Sequence, residues 1–197
     1  MFDIVTNTFL ILAGYALGCL VTGYYIVRYQ SKSDVRSGGS GSAGATNVGR
    51  LLGSKGFAVT LAGDFSKGVM ALIMAKLSGC HDPWLALVLL AVVAGHIWPV
   101  QLEFKGGKGV ATSLGGMMIY DPLLTLLLMG VFGVVFKIFG EREVGGMITF
   151  LCLPVAALLI GRPPVVTAAS LALASMLLRA HRDNLVVICG RSGARKS

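Results

Sequence analysis

The chain has 197 residues, of which 55% are hydrophobic and 13% charged, and it carries a formal net charge of +8. A water-soluble domain of this length lacks the interior to bury that much apolar surface, so the composition excludes an ordinary soluble globule and predicts lipid as solvent for much of the chain. The positive balance then reads as basic loops facing an anionic leaflet or an anionic substrate; nucleic acid is not an expected partner.

A bilayer core of about 30 Å needs roughly 20 helical residues. Seven candidate spans follow in order: 4–27, 56–78, 84–102, 109–120, 123–139, 146–161 and 163–180. The first does not read as a cleavable signal peptide, since it lacks a basic start and a small-residue cleavage pattern before Tyr24 and Tyr25. The fourth would be only about 18 Å long at 1.5 Å per residue, so charge placement has to decide whether it crosses. With seven crossings and the N-terminus outside, Lys76 and Arg162 are the outward-facing cations and Lys67 lies within a span. Arg28, Lys32, Arg36, Arg50, Lys55, Lys105, Lys108, Lys137, Arg142 and the tail group then share the cytoplasmic side. Without the fourth crossing, Lys137, Arg142 and the tail would face outward, against the positive-inside bias. The expected architecture is therefore all-α: a polytopic membrane protein with seven transmembrane helices, N-terminus outside and C-terminus cytoplasmic, forming a single domain over 1–197. Cys19, Cys80, Cys152 and Cys189 form no CxxC pair, so neither a disulfide framework nor a metal site is expected.

This topology gathers loop 28–55, loop 103–109, loop 140–145 and tail 181–197 on one face. The first contains RSGGSGSAGATNVGR, residues 36–50. Glycines such as Gly39 and Gly41 let backbone N–H groups turn inward, Ser40, Ser42, Thr46 and Asn47 add short polar groups, and Arg50 supplies a charged fork suited to phosphate. The alternative is a flexible Gly/Ser linker. A formal GxGxxG match here follows no strand, which argues against a dinucleotide fold. The second segment, GHIWPVQLEFKGGKGVATS (residues 95–113), surrounds Lys108 with Gly106, Gly107 and Gly109 just before a helix expected to start near Gly109 or Val110. Open N–H groups at a helix start beside a lysine make an anion site; a basic turn touching lipid headgroups is the other reading.

Three further groups stand out. His96 lies inside the third span, as a structural hydrogen-bonder, a ligand or a base. Asp64 and Lys67 sit three apart on one face of the second span and need either each other or a polar cavity. His181 and Asn184 share a face just after the last span, near Arg179 and Arg182, where a solvated basic helix end is the plain alternative.

Together these segments resemble the bacterial integral-membrane acyl-phosphate:glycerol-3-phosphate acyltransferase family (PlsY type) over nearly the whole chain. GSGSAGATNVGR is similar to the family's GSGNxGATNVxR, DFSKG to DxxKG, GHIWPVQLEFKGGKGVAT to GHxxPVFxxFxGGKGVAT, and HRDNL to HxxNI, in the same order. The resemblance implies a multi-pass protein of the cell (inner) membrane with its site at the cytoplasmic face. It implies transfer of a fatty acyl group from acyl phosphate to the 1-hydroxyl of glycerol-3-phosphate, giving lysophosphatidic acid and phosphate. Carried over by position, it implies that Ser40 and Arg50 hold substrate phosphate, and that Gly106, Gly107, Lys108 and Gly109 cradle a phosphate. His181 and Asn184 would close the glycerol-3-phosphate pocket, with Asp64, Lys67 and His96 supporting the site from within the helices. The lipid bilayer and the two phosphorylated substrates are the expected partners; no cofactor and no obligate protein partner is implied. Three positions depart from the pattern: Ser42 stands for an asparagine, no serine occurs in REVGGMITF around Gly145, and Val187 replaces an arginine. A transporter or binding protein for a phosphorylated solute, or a catalytically impaired paralogue, is the alternative. The lack of an internal repeat weighs against a transporter.

Overall fold

The computed structural model describes residues 4–182, the side chain of Arg142 excepted. Its regular structure is helical throughout: α1 (Ile4–Cys19), α2 (Thr22–Ser31), α3 (Ala45–Leu77), α4 (Trp84–Ile97), α5 (Val110–Tyr120), α6 (Pro122–Phe139), α7 (Arg142–Leu159) and α8 (Pro164–Ala180). Short 3-10 turns lie at Val35–Ser37 and Val100–Leu102. An apolar solvent offers backbone groups no partners, and a helix satisfies them within one segment. Four stretches are long and apolar enough to cross a bilayer: Ile4–Ser31, Ala45–Leu77, Trp84–Leu102 and Pro122–Phe139. Val110–Tyr120, Glu143–Leu159 and Pro164–Ala180 are apolar but shorter.

The chain forms two compact units, one running to Thr125 and the other beginning at Leu126, within α6. In the first, α1 packs along α4 and α3 along α5 at backbone-to-backbone range, which small residues allow. A Cβ on Gly18 would stand 2.2 Å from the Val92 carbonyl oxygen, and one on Gly95 only 2.1 Å from that of Tyr15. Between α3 and α5, a Cβ on Gly68 would fall 2.2 Å from the Thr112 oxygen and one on Gly115 2.1 Å from that of Phe65. In the second unit α7 lies along α8, and a Cβ on Gly145 would sit 3.2 Å from the Phe132 ring of α6.

Three boundaries differ from the sequence reading. The first span, expected to be continuous over 4–27, is interrupted at Leu20 and Val21. Loop 28–55 is largely structured: α2 runs to Ser31 and α3 starts at Ala45, turning at Gly53, whose φ of 74° and ψ of −169° leave the helical region. Only glycine takes that conformation without strain. Residues 45–52 thus form a short helix ahead of the long one, and the Gly/Ser tract is not a spacer. Finally, α7 begins at Arg142, so loop 140–145 shortens to Gly140 and Glu141.

The α1–α4 contact gives a direct test. Gly95→Val should lose folded, monodisperse protein in detergent, or lower its stability by about 1–3 kcal/mol, the usual cost of overpacking a filled contact; a gel-filtration thermal-shift assay reads this out.

Candidate functional site

The interruption between α1 and α2 leaves carbonyls at the end of one helix and N–H groups at the start of the next without intrahelical partners. Val21, the residue capping α2, provides no side-chain hydrogen bond of its own. The missing partners come from α3 and from the turn after α4. Lys67 Nζ donates to the carbonyls of Gly18 and Leu20, each at 2.9 Å. The Asp64 carboxylate accepts the Thr22 N–H at 3.3 Å, and the Gln101 side-chain amide donates to the Cys19 carbonyl. A cation thus meets the negative end of α1 and an anion the positive end of α2, the favourable sense for both helix dipoles. Asp64 and Lys67 are 3.1 Å apart and almost wholly buried, and His96 Nδ1 lies 2.8 Å from Lys67 Nζ.

Over this frame lies the first glycine loop. Its floor is an apolar cluster of Val21, Val27, Val35, Ala43, Val48 and Leu102. Asn47, 1% exposed, closes the loop: its Oδ1 accepts the Ser40 N–H at 2.8 Å, and its Nδ2 donates to the carbonyls of Gly38 (3.0 Å) and Val35 (3.2 Å). Gly39 is at φ 60°, and a Cβ there would stand 2.0 Å from Asn47 Oδ1. At the loop's start the Arg36 guanidinium grips both oxygens of Asp34 at 2.6–3.0 Å and donates to the Leu102 carbonyl at 2.8 Å. That hydrogen-bonded guanidinium holds the Asp34 carboxyl below the usual carboxylate range.

The second strap meets the first where the Ala43 N–H donates to the Gly106 carbonyl at 3.4 Å. Gly106 and Gly107 do not offer N–H groups to an anion as the sequence suggested: these donate to the carbonyls of Ile97 (3.0 Å) and His96 (3.1 Å). What both glycines provide is room. A Cβ on Gly106 would fall 2.1 Å from the His96 oxygen, and one on Gly107 would fall on the His96 ring. Gly109, at φ 82°, caps α5, and the open N–H groups of the first turn of α5 follow the half-buried Lys108.

Of the expected site residues, Asp64, Lys67, His96, Gly106 and Gly107 form one continuous set of contacts. Asn47, Gly39, Gly41 and the Ser40 backbone build the first loop, where the Gly41 N–H is already donated to Gly38. Ser40, Thr46 and Arg50 are exposed. In the second unit His181 ends α8, buried, with Nδ1 donating to the Leu177 carbonyl at 2.8 Å and its ring 5.4 Å from that of Phe150. Asn184 and Val187 lie outside the described residues. Sequence reasoning missed Asp34, Arg36 as its partner, and Gln101. An acid and a base two residues apart at the loop entrance were the available signal for the first pair; nothing local marks Gln101.

The chain matches the family model described as glycerol-3-phosphate acyltransferase over residues 8–190. It is 43% identical over 190 residues to glycerol-3-phosphate acyltransferase 1 of Desulfitobacterium hafniense, covering 96% of this chain and 94% of that one. With glycerol-3-phosphate acyltransferase of Clostridioides difficile the identity is 38%, over 93% and 92% of the two chains. A crystal structure of PlsY (YgiH), an integral membrane glycerol 3-phosphate acyltransferase in its glycerol 3-phosphate form, superposes with a TM-score of 0.87 at 31% identity, covering 94% of each chain.

Removing one member of a buried ion pair strands the other, so Asp64→Asn or Lys67→Met should each cost about 3–5 kcal/mol. The double variant Asp64→Leu/Lys67→Met should not recover, because the carbonyls of Gly18 and Leu20 stay unpartnered; thermal unfolding in detergent tests both statements. The loop entrance should respond to acid. A carboxyl whose folded pKa is depressed contributes stability that is complete above its unfolded value, about 3.9, and lost as pH falls through the folded value. Protease resistance of residues 33–44 should therefore persist to about pH 4 and fall only below it, and Asp34→Asn should expose the loop at neutral pH.

Proposed function

The chain belongs to the glycerol-3-phosphate acyltransferase family, and from that premise we propose that it transfers a fatty acyl group from acyl phosphate to the 1-hydroxyl of glycerol-3-phosphate. The hydroxyl oxygen attacks the acyl carbonyl, the bond from the acyl carbon to the phosphate oxygen breaks, and the hydroxyl proton leaves with phosphate. Lysophosphatidic acid and inorganic phosphate result. Phosphate is a good leaving group, so no strong protein base is required; a substrate phosphate takes the proton.

The observation that carries this reading is the joining of the two glycine straps, through Ala43 to Gly106 and Arg36 to Leu102, in a chain whose relatives bear that acyltransferase name. Lys108 and the first-turn N–H groups of α5 attract one phosphate, with Gly106, Gly107 and Gly109 admitting the close backbone approach. Ser40 and Arg50 hold a phosphate from the first loop, beside Thr46. His181 donates from Nδ1 to Leu177, which leaves Nε2 as the ring's basic nitrogen, and it is with Asn184 the residue that the HRDNL motif assigns to glycerol-3-phosphate. Residues 1–197 work as one domain in the cell membrane, crossing it seven times with α1 and α2 as one interrupted span. The N-terminus lies outside, and the site and C-terminus face the cytoplasm. The concentration of Lys and Arg on one set of loops supports this orientation.

Purified protein in detergent, given acyl phosphate and glycerol-3-phosphate, should release phosphate and form lysophosphatidic acid. Lys108→Ala should cut kcat/KM by about tenfold or more, the worth of one hydrogen bond to a charged group. Absence of turnover in the wild type, together with phosphate binding that Lys108→Ala abolishes, would instead assign a binding or transport role.

A further inference from the structure

His96 is not accounted for by packing alone. Its ring is almost wholly buried, being 2% exposed, beneath the strap that leads into α5. The Lys67 ammonium has three protons and no lone pair. Four acceptors crowd these protons, namely the carbonyls of Gly18 and Leu20 at 2.9 Å, His96 Nδ1 at 2.8 Å and the Asp64 carboxylate at 3.1 Å, and the His96 contact is the shortest, too short to hold a ring proton as well. The other neighbour of Nδ1, Asp64 Oδ1, is 3.6 Å away, beyond hydrogen-bond range. Nδ1 is thus an acceptor, and the proton of the neutral ring sits on Nε2.

That nitrogen has no hydrogen-bond partner among the described residues. It faces Gly107 instead. The place where a Cβ on residue 107 would stand is 2.2 Å from Nε2, against 2.8 Å from Cε1 and 3.2 Å from Cδ2, so the ring meets the strap with its Nε2 edge. A side chain at 107 would occupy that space. The Nε2 edge fills that space itself, against a glycine two residues ahead of Gly109, the cap of α5, whose first-turn N–H groups attract anions.

We propose that His96 Nε2–H donates a hydrogen bond to the phosphate group of a substrate bound at the N-terminus of α5, alongside Gly107, whose missing side chain lets the ring edge come close to the strap. Lys67 is the positioning residue that sets the required tautomer, and Asp64 holds Lys67 in place. This deepens the acyltransferase reading and rests on it for the identity of the substrate, though the donor itself needs only a phosphate. The buried charged pair then serves twice, since it bridges the helix interruption and also determines which ring nitrogen faces the site.

The test uses the full-length protein with 15N-labelled histidine, the His96 signals being assigned by loss in variants. Two-bond 15N–1H spectra should show His96 protonated at Nε2 and bare at Nδ1, and inorganic phosphate should shift the Nε2–H resonance. A ring protonated at Nδ1, or an Nε2 unmoved by saturating phosphate, overturns the proposal. This arm needs no turnover, so a wild type that responds to phosphate but makes no lysophosphatidic acid keeps the donor and discards the acyltransferase reading. Kinetics supply the second arm. His96→Gln keeps an amide donor near the Nε2 position, whereas His96→Asn keeps only a partner for Lys67. His96→Asn should raise a substrate KM about tenfold or more over His96→Gln. A rise confined to acyl phosphate places the donor's phosphate there, and one confined to glycerol-3-phosphate places the acceptor's. Equal KM values in folded samples of both variants contradict the proposal.

Discussion

A helix that stops inside an apolar layer must find partners for its last carbonyls, and the helix that resumes must find them for its first N–H groups. At Leu20 and Val21 this demand is met by Lys67, Asp64 and Gln101, two of them from α3 and the third from the 3-10 turn after α4. Neither charge would survive alone in that setting, since a lone ion surrounded by apolar groups is costly. Each is stabilised by its counter-charge and by a helix end of opposite sign. The interruption and the pair therefore require one another.

The position of the glycine straps depends on this arrangement. α2 leaves the interruption at a fixed angle and carries the first loop, whose Ala43 oxygen lies so close to Gly23 that a Cβ there would fall 2.2 Å away. His96 passes from Lys67 on one side to Gly107 on the other. Both straps are thus referred to the same buried charges, and the Ala43 to Gly106 bond joins them directly. Several of the first loop's N–H groups are spent on this scaffolding, whereas the Ser40, Thr46 and Arg50 side chains stay exposed. Rigid straps with a few outward polar groups suit the recognition of a phosphorylated head, because little ordering remains to be done on binding.

Such a site asks for little acid–base chemistry from the protein. In the proposed reaction the acyl phosphate is already activated, and what would remain is to hold two phosphates near one another against their mutual repulsion. Helix N-termini, arginine and lysine do this by charge and direction. On the reading proposed for His96, a histidine N–H whose tautomer is imposed from behind would add a donor with no net charge.

Seven apolar segments, the Lys/Arg bias between loops and the four motif stretches were legible in the amino-acid order, because hydrophobicity and charge are properties of each residue and their spacing is set by the helix rise. The helix start at Val110 was equally plain from the glycines before it. The interruption at Leu20 was not: the stretch from Ile4 to Val27 is apolar almost without a break, and the groups that partner its open ends lie more than 40 residues away. Nor could the chain order say that Asn47 would be spent inside its own loop, or that the N–H groups of Gly106 and Gly107 would go to Ile97 and His96 rather than to a ligand. Hydrogen-bond partners of loop backbone are chosen by what packs beneath them. Residue type alone set which polar groups the glycine loops carry; only the tertiary structure decided which of their atoms are spent on the fold.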